Sequence, residues 1–389
     1  MLPTVRALLP EVLAALTGSQ GLREVLQHCA RVVVEGLDAG FARIWALKDA
    51  TQILELAPGA RSQTTRAGAT MGGLVSRTSW MRDIPDDTPV TALSIPGTHD
   101  SGCIGGPLGV AQTQNLDLVH QLDAGIRFLD IRLAQYQDDL VVHHDVVCMG
   151  KTYTEVLDIC AGFLKEHPSE TILMSVKDED RVDSGLGRFA PSEILGKLSM
   201  GDTPDADEDP SSFERSLTTQ TWEHIGNAPL FYNFVTQGGG DDSPTLGNAF
   251  TSGTTLGDVR GKIVLLRRFD SNDDVGLDLT YWPDNQTFRS AAAPPVHVVH
   301  DRYQGLEEDE KYELILTHLE EARHGDLEDL YITFSSAVEV RAHGFAETIN
   351  PRLNDYLASS PGGRVGIIAM DFFENPPQLV STVIAMNMQ

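Results

Sequence analysis

Basic residues are scarce in this chain: Lys and Arg number 29 against 56 Asp and Glu, a formal net charge of −27. Nucleic acid is bound mainly through cation contacts to phosphate, so a charge of this sign argues against it as a partner. The same sign works against long-range attraction to an anionic membrane. Cysteine is scarce too. Cys29, Cys103, Cys148 and Cys160 show no C-x-x-C spacing and no dense framework, so buried free thiols are expected. No apolar run reaches the roughly 18 residues that a membrane span requires. The N-terminus lacks a basic segment leading into an unbroken apolar core, because Glu11 interrupts the best stretch. No signal peptide is read there, and the expected localisation is cytoplasmic.

What is present suits one large domain with an appendage. A barrel takes about 250 residues, which leaves a smaller segment of the 389. Leu22, Val25, Leu26, Cys29 and Val33 recur at helical spacing, and Phe41 to Leu47 and Gln52 to Leu56 read as strands around a turn. That order resembles the opening of a GAF sensor domain, but it stops near Pro58, before a sheet or pocket could be completed. Residues 1–58 are therefore read as an incomplete GAF-like extension. Residues 59–79, rich in Gly, Ser, Thr and Arg, read as a linker.

From residue 80 onward, strand-like runs alternate with helical ones, the pattern of a parallel sheet built of β–α units. Strands are expected at 91–96, 126–133, 139–144, 171–177, 229–233, 262–268, 296–301, 330–335 and 365–371. Helices are expected at 114–123, 152–166, 307–322 and 350–358, the last with Asn350 as its cap and Pro351 in its first position. Between 200 and 260 the periodicity is poor, and long loops with few helices are expected. The fold class is α/β: an irregular TIM-type (β/α)8 barrel with a small N-terminal α/β extension.

Several of these strands end in polar clusters, where the loops of such a barrel converge on one mouth. Val90 to Ile95 reads as a strand that Pro96-Gly97 breaks, leaving His99 and Asp100 just beyond its end. Asp130-Ile131-Arg132, His143-His144-Asp145 and Lys177-Asp178-Glu179 stand at similar ends. Two histidines on different strands, each near a carboxylate, suit general acid–base work at neutral pH. An arginine adds a planar fork that matches two phosphate oxygens. Together they describe phosphodiester cleavage by an internal hydroxyl, with no metal or cofactor needed. His143 and His144 are consecutive on a strand and point to opposite faces, so only one can reach the mouth. Arg267 and Arg268 pose the same question. Residue types alone leave both pairs open.

The ordered blocks SIPGTHDSG, FLDIRL, LVVHH, PSETILMSVKDE, RGKIVLLRR, YWPDNQTF and RVGIIAMDFF resemble the bacterial phosphatidylinositol-specific phospholipase C family, from about Trp80 to the C-terminus. The resemblance implies a lyase that releases diacylglycerol and inositol 1,2-cyclic phosphate. By that likeness His99 is the general base, Asp371 fixes its tautomer, His144 is the general acid helped by Asp100, and Arg132 grips the phosphate. Lys177, Arg268 and Asp301 match positions that bind inositol hydroxyls, Tyr303 matches one whose ring lies against the sugar, and Asp130 orients Arg132. The implied partner is phosphatidylinositol at a membrane surface, met in weak and transient contact by a monomer. Related enzymes are often secreted.

The chain departs from the family pattern at Asp145, where glycine is usual. The rim segment 105–110 lacks a tryptophan that some relatives use to enter the bilayer, leaving Leu108, Val110 and Phe345 as apolar candidates. The block from Trp282 to Asn285 is read as a structural turn. Two other readings compete. A metal-dependent glycerophosphodiester phosphodiesterase would need a carboxylate cluster, for which Asp178, Glu179 and Asp180 are candidates, although Arg132 speaks against it. A non-catalytic inositol-binding barrel is the other.

Overall fold

The chain divides into two units between Gly72 and Gly73. The computed structural model describes residues 76–388, apart from 106–111, 137–138, 145–146, 180–210, 226–229, 233, 237–243, 247–249, 272–274, 291–294 and 338–341. The expected GAF-like extension, most of the expected linker, Asp145, Asp180, Leu108 and Val110 lie outside the described residues. The last residues assigned to the linker from sequence belong to the second unit. Arg77–Asp83 form a 3-10 segment that buries Trp80 and Met81. Trp80 donates its indole N–H to the Gly125 carbonyl at 3.0 Å, and the guanidinium of buried Arg127 holds the carbonyls of Arg77 and Thr78. Arg127 is paired with Glu170 at 3.0 Å, both fully buried.

Among the described residues thirteen strands follow in chain order. They are β1 (Ile95–Thr98), β2 (Phe128–Tyr136), β3 (Asp139–His144), β4 (Val147–Thr152), β5 (Ile172–Asp178), β6 (Phe234–Thr236), β7 (Pro244–Leu246), β8 (Ile263–Arg268), β9 (Leu277–Asp278), β10 (Thr287–Arg289), β11 (His297–His300), β12 (Leu330–Phe334) and β13 (Ile367–Met370). A curled sheet runs in the order β11-β12-β13-β1-β2-β5-β8-β9, with every neighbouring pair parallel. β10 lies antiparallel on β11, and β3 and β4 extend antiparallel from β2. Among the described residues no ladder closes the sheet between β9 and β10, which is the irregularity expected of this barrel. The parallel strands β5, β8, β12 and β13 are mostly apolar and buried along nearly their whole length, as strands covered on both faces must be.

The helices cover the sheet for local reasons. Tyr153–Glu166 starts with a capping box, Thr152 and Glu155 each bonding the other's backbone, and buries Val156, Leu157, Cys160, Phe163 and Leu164. Leu118–Ala124 is capped by Asp117 and stopped by Gly125 in the left-handed region. Glu308–His324 has three acids in its first turn and Arg323 and His324 in its last, which complements its dipole.

Between 200 and 260, where long loops and few helices were expected, the described residues hold one long helix, Ser211–Ile225. Its buried positions include Glu214, Thr218 and Thr221 beside Phe213 and Leu217, so polar residues conceal its inner face. The last long helix starts at Ala342, not at Asn350, and Pro351 lies inside it. Asn350 is no cap: it is buried, and its amide donates to the carbonyls of Asp371 and Phe372. The first expected strand is also displaced. Val90–Ala92 form a 3-10 turn after Pro89, so β1 runs up to Thr98 itself.

Candidate active site

His99 follows β1 directly, and Asp371 follows β13, the strand beside it. Each is succeeded by or lies at a residue in the left-handed region: Asp100 has φ 42° and Phe372 φ 44°. Such angles are costly for side-chain-bearing residues and cluster where function demands them. Here the surroundings enforce them. Gln114 donates its amide to the carbonyls of both His99 and Met370, at 2.9 and 2.8 Å, tying the two strand ends together. The Thr113 hydroxyl donates to the Asp100 carbonyl, and the Phe372 amide donates to the Thr113 carbonyl.

These turns open into a cleft of about 600 Å³. His99, Asp100, Arg132, His144, Lys177, Arg268, Asp301, Tyr303 and Asp371 all line it. Asp130 lies beneath its floor, fully buried and paired with Arg132 and Arg268. Thus the cleft gathers nine of the ten residues singled out from sequence, and the tenth supports two of them. Of the consecutive histidines, His144 reaches the cleft and His143 is buried. Of the two arginines, Arg268 reaches it, while Arg267 pairs with Asp278 and holds the Val275 and Phe269 carbonyls.

Sheet register explains the positive wall. Arg132 is level with Lys177, and Lys177 with Arg268, on the parallel strands β2, β5 and β8. Three cations side by side repel one another unless counter-charges intervene. Asp100, Asp130 and Glu179 supply them. Arg132 meets the Asp100 carboxylate through Nε, Asp130 at 3.2 Å and Glu179 at 3.5 Å. Lys177 meets Glu179 at 2.9 Å. Burial raises the cost of charging Asp100, but Arg132, His99 and His144 outweigh it and hold its carboxyl below the usual range. Burial, with Arg132 beside it, lowers the Lys177 ammonium from its ordinary value.

One oxygen, Oδ2 of Asp100, is shared by both imidazoles: His99 Nε2 lies 3.4 Å from it and His144 Nδ1 3.2 Å. The other side of His99 is set by Asp371, whose carboxylate meets Nδ1 at 2.8 Å. Burial disfavours a charged His99, yet Asp100 and Asp371 outweigh it and raise its pKa to about 9. Arg132 opposes them, and its Nη2 stands 3.0 Å from Nε2, where it donates only to a neutral ring. The arrangement therefore draws a proton to His99 and offers that nitrogen a donor once the proton has left.

Three wall residues have roles that the sequence reading did not assign them. Trp282 and Asp284, read as a turn, line the cleft. The Trp282 indole N–H donates to Asp301 at 2.8 Å, and the Arg268 guanidinium stacks 3.7 Å from its ring centroid. Asp284 accepts from the Tyr303 hydroxyl at 2.7 Å. Asn285, with φ 53°, does make the turn, and its side chain accepts from the backbone of Tyr303 and Gln304. Glu179, considered only as a metal ligand, is a buried counter-ion of Lys177 and Arg132. Its position two residues after Lys177 on a strand was the available signal. Phe345, an expected rim residue, is instead buried in the core.

Two groups among the described residues could gather around a metal ion: Asp100, Cys103 and His144, and His99, Asp100 and Asp130. Both depend on carboxylates already engaged by Arg132, whose guanidinium fills the place of a cation. Among the described residues no helix is long and apolar enough to cross a membrane.

Comparison with known proteins agrees with this geometry. Residues 87–197 match the family model for the phosphatidylinositol-specific phospholipase C X domain. A 1-phosphatidylinositol phosphodiesterase of Listeria monocytogenes is 27% identical over 325 residues, covering 80% of this chain and 86% of the relative. A crystal structure of phosphatidylinositol-specific phospholipase C from Staphylococcus aureus superposes with a TM-score of 0.63 at 25% identity, covering 80% of this chain and 98% of the other. That of the Listeria monocytogenes enzyme does so with a TM-score of 0.57 at 26% identity, covering 80% and 99%.

Proposed function

The chain belongs to the phosphatidylinositol-specific phospholipase C family, and from that premise we propose how its own residues cleave phosphatidylinositol. His99 takes the proton from the inositol 2-hydroxyl, with Asp371 holding Nδ1 so that Nε2 faces the substrate. The freed oxygen attacks phosphorus. His144 gives a proton to the departing diacylglycerol oxygen, and Asp100 stabilises the imidazolium before transfer. Arg132 binds two phosphate oxygens and stabilises the charge that builds in the pentacoordinate transition state. The products are diacylglycerol and inositol 1,2-cyclic phosphate, whose ring water can then open. Lys177, Arg268 and Asp301 bind inositol hydroxyls, and the Tyr303 ring lies along the sugar.

The observation that carries this reading is the shared Asp100 oxygen: it brings the imidazoles of His99 and His144 together beside Arg132. The net charge of −27 supports weak and transient contact with anionic bilayers. The test is phosphorus NMR of phosphatidylinositol treated with the enzyme in EDTA. The cyclic phosphate forms at full rate, and His99→Ala or His144→Ala each lowers the rate by roughly 10²–10⁴. Loss of the wild-type activity in EDTA would favour the metal-dependent phosphodiesterase. Binding of inositol without turnover would favour the non-catalytic barrel.

A further inference from the structure

A lysine lies behind the cleft without touching it. Lys311, in the first turn of the helix Glu308–His324 that crosses from β11 to β12, is fully buried. A buried ammonium is costly unless its donors are used, and all three are directed at partners. Nζ lies 2.6 Å from the Arg302 carbonyl, 2.7 Å from the Phe334 carbonyl and 3.2 Å from Nε2 of His300. On its far side the His300 ring meets the Thr287 hydroxyl at 2.7 Å. Burial outweighs the attraction of Asp301 and Asp371 and lowers the ammonium to about 7.

The partners show what this ion does. Arg302 stands between Asp301 and Tyr303, both of which line the cleft. Phe334 precedes the segment carrying Ser336 and Ala337, which line it too, and its ring packs edge-on against both His99 and Trp282 at 5.8 Å. We propose that Lys311 is a positioning residue for the inositol wall, tying the chain after β11 to the end of β12 so that Asp301 and Tyr303 face the sugar. This rests on the reading of Asp301 and Tyr303 as inositol-binding residues. The ammonium bridges the chain two residues past β11 to the last residue of β12, just beyond the final register pair of the two strands, His300 and Thr333.

The experiment is Lys311→Met, which keeps the length of the side chain and removes its donors, in the full chain. Two readouts are taken: kcat and KM for inositol 1,2-cyclic phosphate, and the affinity for myo-inositol by calorimetry, which needs no turnover. The expected result is KM and inositol Kd raised about 10-fold with kcat within about 3-fold, as for lost positioning of a bound group. A fall in kcat with KM and Kd unchanged would overturn the proposal. If the wild type binds inositol but turns over no inositol phosphodiester, the reaction assigned above fails while the wall is still read by calorimetry. If the variant does not fold, the native chain labelled with 15N-lysine decides. A slowly exchanging ammonium whose signal moves on adding myo-inositol supports the clamp, and its absence or indifference overturns it.

Discussion

Asp371 does two things to one imidazole. At 2.8 Å it fixes which nitrogen of His99 carries hydrogen, and with Asp100 it lifts the pKa to about 9. A base must be unprotonated to act, so kcat/KM for the free enzyme should rise with pH until His99 has titrated. Asp371→Asn removes one raising carboxylate. The expected outcome is an acid limb moved to lower pH, together with a rate loss of roughly 10²–10⁴ from the wrong tautomer. A pH series of kcat/KM measures both, and a limb that stays in place would detach His99 from it. At this scale much of the cleft was legible beforehand, because His99, Arg132 and Lys177 stand where apolar runs stop. Trp282 was not. Its indole holds Asp301 and carries Arg268 across a large gap in sequence, and a turn motif says nothing about which ring faces a cleft.

Strand β1 shows how closely an element can be specified. A Cβ on Gly97 would come within 2.7 Å of Cδ1 and 2.8 Å of Cβ of Phe128, its register partner on β2. The Phe128 Cβ is fixed by its own backbone and cannot swing away. Gly97→Ala should therefore cost about 1–3 kcal/mol as an overpacked core does, read as a lowered denaturation midpoint in urea. It should also slow catalysis, because the shift is passed to His99 two residues later. The aliphatic parallel strands were legible because burial on both faces leaves a continuous apolar run, as in β5 and β8. The helix Ser211–Ile225 was not, since threonine and glutamate occupy part of its inner face. The start of Ala342–Ser359 was misplaced because Asn350-Pro351 has the form of a helix beginning, whereas the asparagine serves the backbone after β13.

Over the whole molecule, two buried histidines contribute to the response to acid. Burial, reinforced by Lys311, holds His318 neutral in the folded protein down to about pH 4, against 6.5 for an unperturbed imidazole. His300, affected by the same two causes, stays neutral to about pH 2. Between the folded and unfolded values the unfolded chain binds the additional proton, so the stability these two histidines contribute is complete above about 6.5 and is lost as pH drops below it. Each histidine contributes a slope approaching ~1.4 kcal/mol per pH unit. His318→Phe should flatten the fall in urea-measured stability between those limits, and an unchanged slope would refute the assignment. The strands furthest apart in sequence, β1 and β13, lie side by side, and the His99–Asp371 bond spans 272 positions. A nascent chain can thus hold His99, Arg132 and His144 and still lack this dyad until the residues after β13 have been made. Any fragment cut short before β13 lacks the carboxylate that fixes the His99 tautomer.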